Sequence, residues 1–170
     1  LQPILVRPYI DGQYQIVAGE RRWRAARMLG LDEVPVIIKD ITDVEAMQMA
    51  LIENLQRENL NPIEEATGYK RLSEEFNMKQ DDIAKTVGKS RSSIANMLRI
   101  LTLPEEVREM LVNGEISVGH AKALLSIDDE EVQIEAARRA KDGSFTVRHI
   151  EKLAQSLAEN TEETEEKPQK

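Results

Sequence analysis

The sequence predicts two fold classes in one chain: an α+β N-terminal domain, built as a small mixed sheet with helices, and an all-α domain containing a helix-turn-helix. Three observations carry this reading. Two runs rich in β-branched residues, 4–10 and 13–18, flank Asp11-Gly12, a dipeptide favoured in short hairpin loops. No strand signal recurs after Asn61. Residues 81–87, then Gly88, then residues 90–100 have the spacing of helix, turn and helix.

The elements follow in order. Pro8 cannot donate to a ladder, which predicts that the first run is an edge strand. A helix is expected over 20–29, closed by Gly30 in a left-handed C-cap. Residues 34–39 read as a further strand. Thr42 and Glu45 form a capping box, opening a helix that carries Met47, Leu51 and Leu55 and runs to about Asn59. Leu60 and Asn61 interrupt it. Asn61 caps the next helix, with Pro62 first and Glu64 third. The domains are therefore 1–60 and 61–158, with 159–170 as an acidic linker.

Within the helix-turn-helix, Ala84 is small where two helices cross and Gly88 permits the turn. Ser90 caps the second helix, and Ile94, Leu98 and Leu101 give it an apolar face. Lys79 is a weak cap for the first. More helices are expected over 104–112, 117–125, 129–141 and 146–158. Residues 160–170 are polar and acidic, and disorder is expected there. Trp23 and Phe76 read as core aromatics.

Composition narrows the chemistry. The chain has no cysteine, so disulfides and thiolate metal sites are excluded. Two histidines exclude a histidine-rich zinc site. No apolar run approaches the roughly 20 residues that span a bilayer, and no leader is recognisable. A cytoplasmic protein without a membrane partner is expected. Leu1 in first position and the polar end read as a piece of a longer protein. The net charge of −8 at first opposes nucleic-acid binding, but it is unevenly placed. Glu159, Glu162, Glu163, Glu165 and Glu166 crowd the end. Between Asp82 and Glu105 lie Lys85, Lys89, Arg91 and Arg99 with no acid among them.

The first constellation is Gly19-Glu20-Arg21-Arg22-Trp23-Arg24. A glycine between strand and helix lets backbone N–H groups approach an anion, and arginines supply charge-assisted donors for phosphate. Glu20 implies a metal or a water between itself and that anion. This reads as a nucleoside triphosphate site with a divalent ion; the alternative is a solvated helix whose arginines pair with Asp32, Glu33 and Glu45. The second constellation is Glu53, Asn54 and Arg57. Glu53 and Arg57 stand four apart on one helix face, and Asn54 adjoins them. Glu53 and Asn54 offer oxygen ligands suited to Mg²⁺, which keeps water and phosphate oxygens, and Arg57 suits phosphate. The alternative is an exposed Glu53–Arg57 ion pair.

The third constellation lies on the helix-turn-helix. Candidate DNA contacts are Lys89, Ser90, Arg91, Ser92, Ser93, Asn96 and Arg99. Arginine reads guanine and asparagine reads adenine in the major groove, while lysine and serine suit phosphates. A helical bundle with a polar outer face is the alternative. Gly119, His120 and Lys122 open a later helix that adds DNA contacts or is a capped core helix. His149 reads as a surface residue.

Together these motifs resemble the ParB chromosome-partitioning family: Gln2-Pro3-Ile4-Leu5-Val6-Arg7, Gly19 to Ala25, Glu53-Asn54-Leu55-Gln56-Arg57-Glu58, and Gly88-Lys89-Ser90-Arg91 with Ile94-Ala95-Asn96, in the family order. The resemblance covers about residues 1–157. It implies a CTP-dependent clamp that binds a palindromic centromere-like DNA site, dimerises through its N-terminal domains with CTP and Mg²⁺, slides, and reopens on slow CTP hydrolysis. Gln2, Pro3, Ile4, Val6 and Arg7 would line the cytosine side. Gly19, Glu20, Arg21, Arg22 and Arg24 would hold the phosphates, with Glu53, Asn54 and Arg57 on the metal and triphosphate. Glu20 and Glu53 would be the catalytic candidates. The family's segment for a ParA-type ATPase would precede Leu1 and its C-terminal dimerisation domain would follow Lys170, so DNA binding weaker than that of the intact protein is expected. A nucleoid-occlusion paralogue shares the motifs; the Arg91 and Gly119 neighbourhood looks more like the partition type. A helix-turn-helix repressor without nucleotide gating and a sulfiredoxin-like enzyme are the other readings; sulfiredoxin itself needs a cysteine.

Overall fold

The computed structural model describes residues 2–57 and 59–165, with side chains through residue 159. Strands β1 (Ile4–Pro8) and β2 (Tyr14–Ala18) form an antiparallel hairpin. Its turn carries Asp11 at φ 58° and Gly12 at φ 74°, and Gln13 N–H donates to the Ile10 carbonyl at 3.2 Å. Two consecutive left-handed residues give the turn the twist that matches the strands. Helix α1 (Glu20–Met28) follows, then β3 (Val36–Ile38), parallel to β1. The sheet order is β2-β1-β3, so β1 is central and not an edge strand. Pro8 is tolerated because β3 pairs only with residues 4–6 of β1. Gly30 closes α1 at φ 68°, with Leu31 N–H donating to the Ala26 carbonyl.

Helix α2 (Asp43–Leu55) opens on the Thr42–Glu45 capping box. The two bonds with Thr42 hold the Glu45 carboxyl below its ordinary range. The helix stops at Leu55, earlier than its periodicity suggested; Glu58 lies outside the described residues. Helix α3 (Pro62–Glu74) has the expected Asn61–Glu64 box. Then come α4 (Gln80–Val87), α5 (Arg91–Ile100), α6 (Glu105–Val112), α7 (Val118–Leu124), α8 (Glu130–Lys141) and α9 (Val147–Glu165). Lys79 makes no side-chain cap bond on α4. Helix α9 runs to Glu165, past residue 160 where disorder was expected to begin, because acidic residues expose a helix without breaking it. Residues 166–170 of the expected linker lie outside the described residues.

Burial is uneven. The helical part holds a continuous core including Tyr69, Leu72, Ile83, Ile94, Ile100, Val107 and Ile150, with Phe76 packed at its margin. Among the described residues the sheet part buries only Ile4, Val6 and Ala26. Helix α2 joins them: Leu55 enters the helical core against Gly68 of α3, where an added Cβ would lie 2.4 Å from Leu55 Cδ2.

Candidate nucleotide cleft and nucleic-acid interface

The junction of β2 and α1 faces the C-terminal half of α2 across an open cleft of about 1620 Å³. Its walls include residues 14–25, with Tyr9, Ala50, Glu53, Asn54 and Arg57. Gly19 makes the turn from strand to helix at φ 100°, a left-handed angle that favours glycine. The first turn of α1 therefore presents unpaired backbone N–H groups beside Arg21, Arg22 and Arg24.

Each acid in the cleft is matched by an arginine. Glu20 pairs with Arg24 at 2.6 Å, and Glu53 with Arg57 at 3.5 Å, all four side chains being about half exposed or more. These i,i+4 contacts are weak enough to exchange for a phosphate or a cation. Arg21 has no protein partner among the described residues and is exposed. Arg22 is different: Nη1 donates to the carbonyls of Gln2 at 2.9 Å and Pro3 at 2.8 Å. It ties α1 to the segment leading into β1, and Gly19 leaves room for it, since a Cβ there would lie 3.3 Å from Nη2.

The first motif stands apart. Ile4 and Val6 are buried core residues, and neither they nor Gln2, Pro3 and Arg7 line the cleft. Arg7 is a strut, paired with Asp43 at 2.5 Å and bonded to Gln15 Oε1 at 2.8 Å and the Ile41 carbonyl at 3.4 Å. The structure thus brings together Gly19, Glu20, Arg21, Arg22, Arg24, Glu53, Asn54 and Arg57, and leaves residues 2–7 outside the lining. Trp23, expected in the core, is 36% exposed and lines the cleft, with the Arg27 guanidinium 5.5 Å from its ring. Tyr9 and Tyr14 were also missed; two exposed tyrosines flanking a hairpin turn were the available signal. Two oxygen donors, Glu53 and Asn54, fit a Mg²⁺ that takes its other ligands from phosphate and water.

On the helical side, α4 ends on Gly88 at φ 70° and Ser90 Oγ accepts from Ser93 N–H at 3.1 Å, which sets α5 as the second helix of the motif. Ser92 Oγ lies 3.0 Å from Ser90 Oγ. Arg91 is exposed and 3.8 Å from Asp81. Asn96 is half-buried on α5. Arg99 donates to the Leu125 carbonyl at 3.1 Å and fastens α5 to the end of α7. Lys89 is ion-paired with Glu65 of α3 and sits 6.0 Å above the Tyr69 ring. The Tyr69 hydroxyl donates to the same Glu65 oxygen; burial first and that carboxylate second push its pKa up.

His120 occupies the third position of α7 and its Nδ1 accepts from Ser117 N–H at 3.2 Å, completing a capping box. That bond leaves the proton on Nε2, so His120 presents a donor. His149 caps α9 in the same way, with Thr146 N–H donating at 3.1 Å. Gly119 lies against α9, a Cβ there meeting Val147 Cγ2 at 3.3 Å, and Lys122 is exposed.

A helix-turn-helix whose second helix carries Arg91 and Arg99, joined through one helix to an α+β unit with an anion-suited cleft, defines a two-part class: a helix-turn-helix domain carrying an α+β one. The family models agree. The ParB N-terminal domain matches residues 1–55 and the ParB HTH domain residues 58–159. The chain belongs to the ParB family. It is 51% identical over 160 residues to the probable chromosome-partitioning protein ParB of Neisseria meningitidis, which aligns 94% of this chain with 56% of that protein. It is 51% identical over 158 residues to the chromosome-partitioning protein Spo0J of Thermus thermophilus, covering 93% of this chain and 58% of that one. The chain spans little more than half the length of these relatives. The C-terminally truncated ParB of Caulobacter crescentus, complexed to the centromeric parS site, superposes with a TM-score of 0.85 at 48% identity, covering 92% of this chain and 83% of that one.

Proposed function

We propose that this chain reads a palindromic centromere-like DNA site through α5 and binds CTP with Mg²⁺ in the cleft between α1 and α2, so that nucleotide closes a DNA clamp and slow hydrolysis reopens it. The observation that carries this is the convergence of residues 19–24 with Glu53, Asn54 and Arg57 on one cleft, beside a helix-turn-helix. The names of the relatives and the parS complex of the Caulobacter protein support the DNA half. The fit to CTP rests on the cleft chemistry and the ordered motifs. A second copy of the chain and a ParA-type ATPase are the proposed protein partners, and the cytoplasmic nucleoid the proposed location. No helix among the described residues is long and apolar enough to cross a membrane.

In this reading the first N–H groups of α1, with Arg21 and Arg24, cradle the phosphates. Arg22 keeps the loop before β1 in place. Arg57 leaves Glu53 for the triphosphate, which frees the Glu53 carboxylate. Glu53 and Asn54 would hold Mg²⁺, which would supply charge neutralisation at the phosphates. A water oxygen attacks the γ-phosphorus and gives its proton to a cleft carboxylate, the bond to the β–γ bridging oxygen breaks, and CDP leaves with that electron pair. The carboxylates proposed to orient the water are Glu53 and Glu20, which line the cleft. Glu53→Gln keeps the shape and removes the charge. It should still bind CTP, and its phosphate release in the presence of a palindromic duplex should fall by roughly a hundredfold. Release at the parent rate would remove Glu53 from the reaction.

A further inference from the structure

We propose that Glu65 is a positioning residue that brakes sequence-independent DNA binding by competing with DNA phosphates for Lys89; this rests on the reading of α5 as the DNA-recognition helix. Lys89 directly precedes the cap of that helix, where side chains reach phosphates. Its ammonium is paired with Glu65, on a different helix and 24 positions away. The two partners are unequal. The Glu65 carboxylate is only 20% exposed and is held by the hydroxyl of the buried Tyr69. The Lys89 side chain is 42% exposed and ends a flexible stem. When a phosphate approaches, the lysine can move and the carboxylate cannot. Lys89 is thus divided between two anions.

The neighbouring pair shows the contrast. Arg91 and Asp81 are 3.8 Å apart, both more than half exposed, and among the described residues no bond from a buried group holds Asp81. Such a pair yields readily to DNA. Glu65 alone of these two acids is built into the fold, and it faces the residue with the sequence-independent role.

The test is duplex binding against salt concentration for the parent, Glu65→Gln, Lys89→Ala and the double variant, on a palindromic and a scrambled duplex. The glutamine carbonyl still accepts from Tyr69, so the fold is kept; Glu65→Ala, without that amide, provides a second variant and should give the same slope. Removing the acid should steepen the salt dependence by about half a phosphate contact on both duplexes, the share of Lys89 that the acid holds in the parent. Between 200 and 50 mM salt the gain over the parent should therefore grow about 1.9-fold. In the Lys89→Ala background the same change should do nothing. An unchanged or shallower slope for Glu65→Gln, with Lys89→Ala still shallower than the parent, overturns the brake and leaves the DNA reading standing. A Lys89→Ala slope equal to the parent's overturns both.

Discussion

Lys89 and Arg91 stand on either side of the Ser90 cap, and that small separation divides their work. Arg91 opens the helix, exposed, where side chains reach base edges. Arg91→Ala should lose about 1–3 kcal/mol of discrimination between specific and scrambled duplexes, whereas Lys89→Ala should weaken both alike and lower the salt slope by about 0.5, the share of a phosphate contact that Glu65 leaves to it. Equal weakening of both duplexes by Arg91→Ala would make it a backbone contact and move base readout to Ser92, Asn96 or α7. Residue types and their spacing exposed these candidates, as they did Glu53 and Arg57. They did not reveal that Arg22 is bound to the Gln2 and Pro3 carbonyls, or Arg7 to Asp43. A guanidinium's choice between a ligand and a distant backbone carbonyl is made by tertiary geometry and leaves no local signature. Trp23 misled for a related reason: helical spacing with aliphatic neighbours marks a face, and the small sheet domain has too little core to cover it.

At the scale of elements, helix caps and turns were legible because each is a local bargain between one side chain and nearby N–H groups. The Thr42, Asn61, Ser90 and Gly88 signals all hold. Pro8 misplaced β1 because strand order is a long-range property; the parallel β3 lies 28 residues beyond β1 and covers only its first three residues. The packing of α2 on α3 was equally invisible. Gly68 sits inside a helix, where alanine ordinarily gains up to about 1 kcal/mol. Here the Cβ would meet Leu55 Cδ2 at 2.4 Å. Overpacking should win, so Gly68→Ala should lower the free energy of unfolding by about 1–3 kcal/mol in a denaturant titration. A stabilised variant would show that Leu55 is not seated on α3 in solution.

The whole molecule is a firm helical domain carrying a thinly buried sheet domain on α2. That helix brings Glu53 and Asn54 to the cleft, with Arg57 just past its end, and, one residue after Asn54, seats Leu55 in the helical core. Gln56 Nε2 then donates to the Thr86 carbonyl at 3.3 Å, close to the helix-turn-helix turn. The cleft and the helix-turn-helix are thereby joined through a single stretch of chain. The central claim is that the cleft takes a cytidine nucleotide. Isothermal titration of the chain with CTP, ATP and GTP in the presence of Mg²⁺ tests it most directly. A saturable heat with CTP, at least about tenfold tighter than with ATP or GTP (about 1.4 kcal/mol of selectivity), is the predicted result; equal affinity for all three, or none for CTP, would contradict it.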